Sequence, residues 1–231
     1  LTGSNIGNLD PQLSPRFRNS ITDFTIILDL DATLIRTIDP EEVNELSLRG
    51  PEDLRMYMGM DNSYSFDIVD DDGKHKIYGV IRPYCREFLD FCNTYFKRVI
   101  VYTAGTYEYG HAISSQIFSQ TSDRYHPDYI LTRSECLHLD PRECPLRGLR
   151  KPLALVIPDY DETKSVLIDD RISNIRFNPR SGIIIPPYNP NTRSEALSDQ
   201  CLLTLMNWFK QPKILQLDDI RDAEKMSIFE L

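Results

Sequence analysis

Two acidic pairs, Asp29-Leu30-Asp31 and Asp169-Asp170, each stand directly behind a short apolar run, residues 24–28 and 166–168. Carboxylates two residues apart can divide the labour of phosphate ester hydrolysis. Asp29 would attack phosphorus to form an aspartyl-phosphate, while Asp31 would protonate the leaving oxygen and later activate water. A carboxylate approaching a phosphate dianion needs a cation beside it. Magnesium prefers oxygen ligands and keeps several waters, which suits one or two Asp carboxylates, a backbone carbonyl and a phosphate oxygen. Asp169 and Asp170 supply the further carboxylates, provided that parallel strands bring both pairs to one sheet edge. Either pair alone reads most simply as a capped turn at a strand end; two pairs behind two buried runs argue for a site. A third run, residues 99–102, leads into Thr103-Ala104-Gly105, whose hydroxyl and backbone N–H groups can cradle phosphate oxygens. The plainer reading is a Thr cap for the helix that follows. Lys151 could stabilise charge on a transferring phosphoryl group, although a single lysine is more often a solvated surface residue.

The elements that must position these residues are legible as well. The runs at 24–28, 99–102, 166–168 and 183–185 are short, apolar and rich in β-branched residues, as strands buried on both faces are. Between them lie helical patterns over 83–95, with Phe88, Leu89, Cys92 and Tyr95 on one face, and over 107–118. Strands alternating with helices predict a parallel α/β sheet flanked by helices. Residues 64–81 differ, because two alternating runs flank Asp71-Asp72-Gly73, a hairpin turn signal. We therefore expect a β-hairpin insertion at about 38–81, between the first strand and the first long helix. Residues 195–209 read as a last helix closing the sheet. Residues 1–20, rich in Asn, Ser, Pro and Gly, read as a tail or arm, with one catalytic domain over 21–231.

Composition narrows the function classes. With 231 residues, 41% hydrophobic and 26% charged, the chain can bury a full core. The net charge of −9, with Lys and Arg scattered, argues against binding along a nucleic-acid duplex. Cys85, Cys92, Cys136, Cys144 and Cys201 are odd in number and lack CxxC pairing, which reads as reduced thiols in a nuclear or cytoplasmic compartment. His75, His111, His126 and His138 share no zinc-ligand spacing. No apolar run approaches the ~18 to 20 residues of a membrane span, and no secretory signal opens the chain. The absent initiator Met reads as a trimmed chain.

The motifs resemble, in order and rough spacing, those of the FCP/SCP phosphatases of the haloacid dehalogenase superfamily. The residues that carry the likeness are Asp29 to Thr33, Arg82-Pro83 with Glu87-Phe88-Leu89, Tyr102-Thr103-Ala104 with Tyr109, Arg133-Ser134-Glu135-Cys136, Lys151, and Ile168 to Arg171. The resemblance spans residues 22–210. It implies a HAD-like Rossmannoid fold and a magnesium-dependent phosphatase acting on phosphoserine or phosphothreonine in proteins, with the RNA polymerase II C-terminal domain as a model substrate. By that resemblance Asp29 is the nucleophile and Asp31 the acid/base. Thr103, Ala104 and Lys151 would bind phosphate. Asp29, the Asp31 carbonyl and Asp170 would hold Mg2+, with Asp169 a direct or water-mediated partner. Tyr109, Arg133 and Arg36 are the expected substrate contacts, and the hairpin matches the family's substrate-recognition insertion.

The chain also departs from the family pattern. Ala32 stands where Glu is usual, Pro152 where an acidic residue follows the lysine, Arg36 where His is frequent, and residues 38–64 are longer than in the small members. Arg36 reads either as a surface arginine or as a contact to a second substrate phosphate. Tyr64, Phe66 and Tyr78 could line a groove, although alternating hairpin aromatics more often belong to the core. Two other functions remain open: a HAD phosphatase for a small metabolite or a nucleic-acid phosphate terminus, and a non-catalytic binding module. The intact set Asp29, Asp31, Thr103, Lys151 and Asp170 argues against the module.

Overall fold

In the computed structural model, residues 19–38, 42, 61–70, 73–138 and 149–229 are described. Strand β1 (Thr25–Leu28) has all four side chains buried. Its place in the sheet explains this, since it pairs in parallel on both sides. The antiparallel strands β2 (Ile35–Ile38), β3 (Ser63–Asp70) and β4 (Gly73–Ile81) follow it in the chain. Then come β5 (Arg98–Tyr102), β6 (Tyr129–Leu131), the two-stranded ribbon β7 (Leu137–His138) with β8 (Leu149–Arg150), β9 (Ser165–Asp169) and β10 (Gly182–Ile184). The main sheet runs β10-β9-β1-β5-β6 and is parallel throughout. This is the expected α/β fold with a parallel central sheet.

Register does the positioning. Leu28 lies level with Val101 on one side and Ile168 on the other. The residues that follow, Asp29, Tyr102 and Asp169, therefore stand side by side at the sheet's carboxyl edge. The chain fills the β5 and β6 side first and returns to fill the β9 and β10 side, so the strand order reverses between β1 and β9. That crevice is where open α/β sheets take their ligands.

Both faces of the sheet are covered. Ile26 and Leu28 join one buried cluster with Phe88, Leu89 and Phe209, while Ile27 joins another with Ile100, Leu153 and Leu167. Each such side chain contributes about 1.5–3 kcal/mol when fully buried. Helix α1 (Cys85–Tyr95) buries Cys85, Phe88, Leu89, Cys92 and Tyr95, the stripe read from the sequence with one residue added. It starts two residues beyond Pro83 because Tyr84 adopts a left-handed conformation (φ 63°). Helix α2 (Tyr107–Phe118) has the predicted bounds.

The hairpin is present, with Asp70 opposite Gly73 across a two-residue connection; Asp71 and Asp72 lie outside the described residues. Gly73 takes φ 120°, a value that only glycine reaches without strain. The insertion is larger than a hairpin, because β2 adds a third strand against β4 in the order β2-β4-β3. Most of the tail expected over 1–20 and most of the stretch 39–60 lie outside the described residues.

After the short helices α3 (Leu153–Val156) and α4 (Ile172–Ile175), the helix expected over 195–209 is broken in two. Helix α5 (Arg193–Ser198) and helix α6 (Cys201–Phe209) are separated by Asp199 in an extended conformation (ψ 132°). The Asp199 carboxylate accepts from the Cys201 N–H at 3.0 Å and from the Arg82 guanidinium at 2.8 Å twice. A buried arginine takes the carboxylate that a continuous helix would point elsewhere.

Candidate active site

Asp29 extends β1 by one backbone bond, its N–H donating to the Ile168 carbonyl at 3.0 Å. The chain then turns sharply. Leu34 N–H and Ile35 N–H return to the Leu30 carbonyl, and Ala32 adopts φ 59°. The turn is held from outside, since the Tyr188 N–H donates to the Ala32 carbonyl at 2.7 Å and Arg82 Nη1 to the Thr33 carbonyl at 3.0 Å. From inside, Thr33 Oγ1 donates to Asp29 Oδ2 at 3.1 Å. The Asp29 carboxylate is thus fixed in a nearly buried position, 7% exposed.

Lys151 enters from the end of β8 and is 1% exposed. Its Nζ donates to Asp29 Oδ1 at 2.5 Å and to Asp169 Oδ2 at 2.7 Å, and lies 5.6 Å from the centre of the Tyr102 ring. Asp169 is fully buried and is oriented by the Arg171 N–H and by Asn174 Nδ2, which reaches both of its oxygens at 2.9 and 3.0 Å. Asp170 is half-buried beside it. One carboxylate oxygen from each of Asp29, Asp169 and Asp170 lies within 4.8 Å of the others, so the three could hold a metal ion. An all-carboxylate donor set suits a hard cation of the magnesium kind.

The electrostatics follow from burial. Desolvation pushes the Asp29 carboxyl up, against the pull of Lys151. Burial alone would lower Lys151, but the Asp29 and Asp169 charges outweigh it and keep the amine cationic. Asp31 is also raised by burial, with the Tyr109 and Thr37 hydroxyls opposing. Asp170 is raised by burial and then by the Asp169 charge. Four acidic groups crowded around one lysine form a site that gains from a further cation.

Asp31 is bonded to Tyr109, whose OH donates to its Oδ1 at 2.5 Å. Thr103 is buried at the end of β5, its Oγ1 accepting from the Gly105 N–H at 3.0 Å. Capping of α2 falls to Thr106, whose hydroxyl accepts from the Tyr109 N–H. Thr103 therefore does not serve as the helix cap. Arg133 is exposed beside this turn, donating through Nε to the Ala104 carbonyl at 2.9 Å and through its N–H to the Gly105 carbonyl at 2.8 Å. Arg36 sits on β2 with its guanidinium on Glu42, two bonds of 2.8 Å.

Of the residues singled out by sequence, Asp29, Lys151, Asp169 and Asp170 converge directly, with Asp31 and Tyr109 bonded alongside. Thr103, Ala104 and Arg133 form the neighbouring turn, while Arg36 is engaged by an acidic partner. Asn174, Thr37 and the Arg82–Asp199 pair were not read from the sequence. For Thr37 a faint signal exists, a hydroxyl placed between the apolar residues of a short strand.

Residues 24–221 match the family of NLI interacting factor-like phosphatases. The chain belongs to that family. Among curated relatives, the ubiquitin-like domain-containing CTD phosphatase 1 of Xenopus tropicalis is 26% identical over 149 residues, which cover 62% of this chain and 45% of the relative. Two solved structures share the fold of this NLI interacting factor-like phosphatase chain. The fission yeast RNA polymerase II CTD phosphatase Fcp1 bound to beryllium fluoride matches at TM-score 0.50 and 21% identity, over 84% of this chain and 53% of that one. A structure of Fcp1 described as an essential RNA polymerase II CTD phosphatase matches at TM-score 0.52 and 20% identity, over 88% and 59%. At that identity the likeness speaks to fold alone. The chain spans about half the length of the relatives it matches.

Proposed function

We propose that this chain is a magnesium-dependent phosphatase that removes phosphate from phosphoserine or phosphothreonine in proteins. The observation that carries the reading is the convergence of Asp29, Lys151, Asp169 and Asp170 at the strand-order reversal, with Asp31 bonded to Tyr109 beside them. An Asp29 carboxylate oxygen forms the new bond to phosphorus as the bond to the ester oxygen breaks, and Asp31 supplies the proton that the departing oxygen takes. Asp31, now ionised, removes a proton from water, whose oxygen attacks phosphorus and frees both phosphate and the Asp29 carboxylate. Lys151 neutralises Asp29 before the reaction and faces the charge that spreads over the phosphoryl oxygens during it. Thr103 and the backbone around Ala104 would bind phosphate oxygens, and Arg133, exposed beside that turn, would contact the peptide.

Asp29, Asp170, the Asp31 carbonyl and Asp169, directly or through water, would hold Mg2+. The metal would supply positive charge that draws the phosphate dianion to the carboxylate nucleophile. Among the described residues the insertion is a small antiparallel sheet, which favours a peptide over an enclosed metabolite. The C-terminal domain of RNA polymerase II, named for the relatives, is the first substrate to try, and such a substrate would put the work in the nucleus.

The test is turnover on an array of phosphopeptides including polymerase repeats, sugar phosphates, nucleotides and phosphorylated DNA ends, with and without magnesium. Peptide turnover that stops on chelation, and that beryllofluoride inhibits, is the expected result. Turnover of metabolites alone would defeat the protein-phosphatase reading. Activity surviving exhaustive chelation would remove the metal.

A further inference from the structure

Four oxygens are linked by hydrogen bonds from the insertion sheet to the Asp31 carboxyl. Tyr64 OH and Thr37 Oγ1 are 2.6 Å apart, Thr37 Oγ1 and Tyr109 OH 2.5 Å, and Tyr109 OH donates to Asp31 Oδ1 at 2.5 Å. Each hydroxyl owns one proton. With the Tyr109 proton given to Asp31, the Thr37–Tyr109 bond takes its proton from Thr37 and the Thr37–Tyr64 bond from Tyr64, and the Thr37 hydroxyl also acts on the Asp31 carboxyl directly. All three bonds point the same way, toward the carboxylate, and bonds so aligned polarise one another.

The seats of the two tyrosines are built for them. A Cβ at Gly79 would lie 2.4 Å from both the Tyr64 ring and the Arg36 carbonyl, so the Tyr64 ring can lie across β4 only because position 79 lacks one. A Cβ at Gly105 would lie 2.4 Å from the Tyr109 ring. Tyr64 itself is 5% exposed and stacks on Phe66. Two close approaches, one on β4 and one in the turn after β5, serve the same chain of hydroxyls.

We propose that Thr37 and Tyr64 are positioning residues for the acid/base chemistry of Asp31, acting through Tyr109 to commit Oδ1 as an acceptor and leave Oδ2 to face the leaving oxygen. The inference rests on the phosphatase reading above. With Oδ1 held, the carboxyl cannot turn about its axis, and its free oxygen stays where a proton can be handed over. The insertion sheet thereby reaches into the chemistry as well as flanking the substrate path.

The test compares two aryl phosphates. Phenyl phosphate has a poor leaving group that needs a proton, whereas the dinitrophenolate of dinitrophenyl phosphate departs without one. Thr37→Val removes the hydroxyl and keeps the shape, and Thr37→Ser keeps the hydroxyl. Thr37→Val should lower kcat/KM by about tenfold on phenyl phosphate and by less than about twofold on dinitrophenyl phosphate. Thr37→Ser should stay within about threefold of wild type on both, and Tyr64→Phe should follow Thr37→Val with a smaller loss on phenyl phosphate alone. Equal losses on the two substrates, no loss on either, or a serine variant no better than the valine variant would overturn the positioning role. A wild-type protein inactive on both esters in the presence of magnesium would instead overturn the phosphatase reading, and this inference with it.

Discussion

At the scale of the residue, Lys151 and Lys164 make a controlled pair. Both precede Asp169 in sequence, and both carry the same charge. Lys151 touches Asp29 and Asp169 at the carboxyl edge, whereas Lys164 pairs with Asp23 at 3.1 Å at the opposite end of the same strands. Removing a preorganised cation from developing phosphoryl charge typically slows turnover on the order of a hundredfold or more, so Lys151→Ala should lose that much kcat/KM. Lys164→Ala should stay near wild type. Reversed behaviour of the two variants would mean that the chemistry sits elsewhere. Asp29→Asn and Asp31→Asn should each abolish turnover while the circular-dichroism spectrum and unfolding transition are retained, because an amide can neither attack phosphorus nor carry the proton. Hydrolysis by Asp29→Asn above contaminant level would move the nucleophile. These residues were legible because each acidic pair follows an apolar run directly. Lys151 was separable from Lys164 by strand length alone, since a rise of ~3.3 Å per residue carries Lys164 to the far edge.

At the scale of the element, what could be read depended on how local its cause is. Strands β1, β5 and β9 are uninterrupted apolar runs, and the hairpin carries its own Asp-Gly turn, so both were apparent. Strand β2 carries Arg36 and Thr37 between its apolar ends, so no continuous apolar run marks it. The break before α6 has a cause 117 residues away, the buried guanidinium of Arg82 that claims Asp199. The hydroxyl chain likewise joins residues 27 and 72 positions apart. The Arg82–Asp199 pair also ties the turn after Asp29 to the C-terminal helices, because Arg82 holds the Thr33 and Pro186 carbonyls too. Replacing Asp199 by Asn strands a buried charge, which costs about 3–5 kcal/mol and should appear as a lower Tm. Burial raises the Asp199 carboxyl, but the bonds and charge of Arg82 outweigh it and hold the group below the ordinary carboxylate range. A depressed folded value gives stability that is fully present above the unfolded value of about 3.9 and disappears as the pH falls through the folded one. The Tm gap between wild type and Asp199→Asn should therefore be full at neutral pH and close only in strong acid. A gap that widened on acidification would remove Arg82 as its cause.

At the scale of the whole molecule, the site has Lys151 buried at its centre and Arg133 exposed at its rim, while the chain as a whole carries a net charge of −9. Lys151 is 1% exposed, so a substrate arriving from solution meets the summed negative field before it meets the lysine. The screening length in water is about 10 Å at 0.1 M salt, so moderate ionic strength removes most of that field while leaving the buried contacts nearly untouched. Encounter and chemistry should consequently respond differently to salt. For a phosphopeptide with acidic flanks, kcat/KM should rise as potassium chloride is added at fixed magnesium, because repulsion is being screened. For the same phosphosite flanked by Arg and Lys, kcat/KM should fall, because attraction is being screened. In both series kcat should change little, since the groups proposed to hold the phosphate, Thr103 and Lys151, are buried where salt does not reach. Matched peptides differing only in their flanking charges, assayed from low to moderate salt, read the effect directly. If the acidic peptide slows with added salt as the basic one does, a local basic surface rather than the net charge governs encounter.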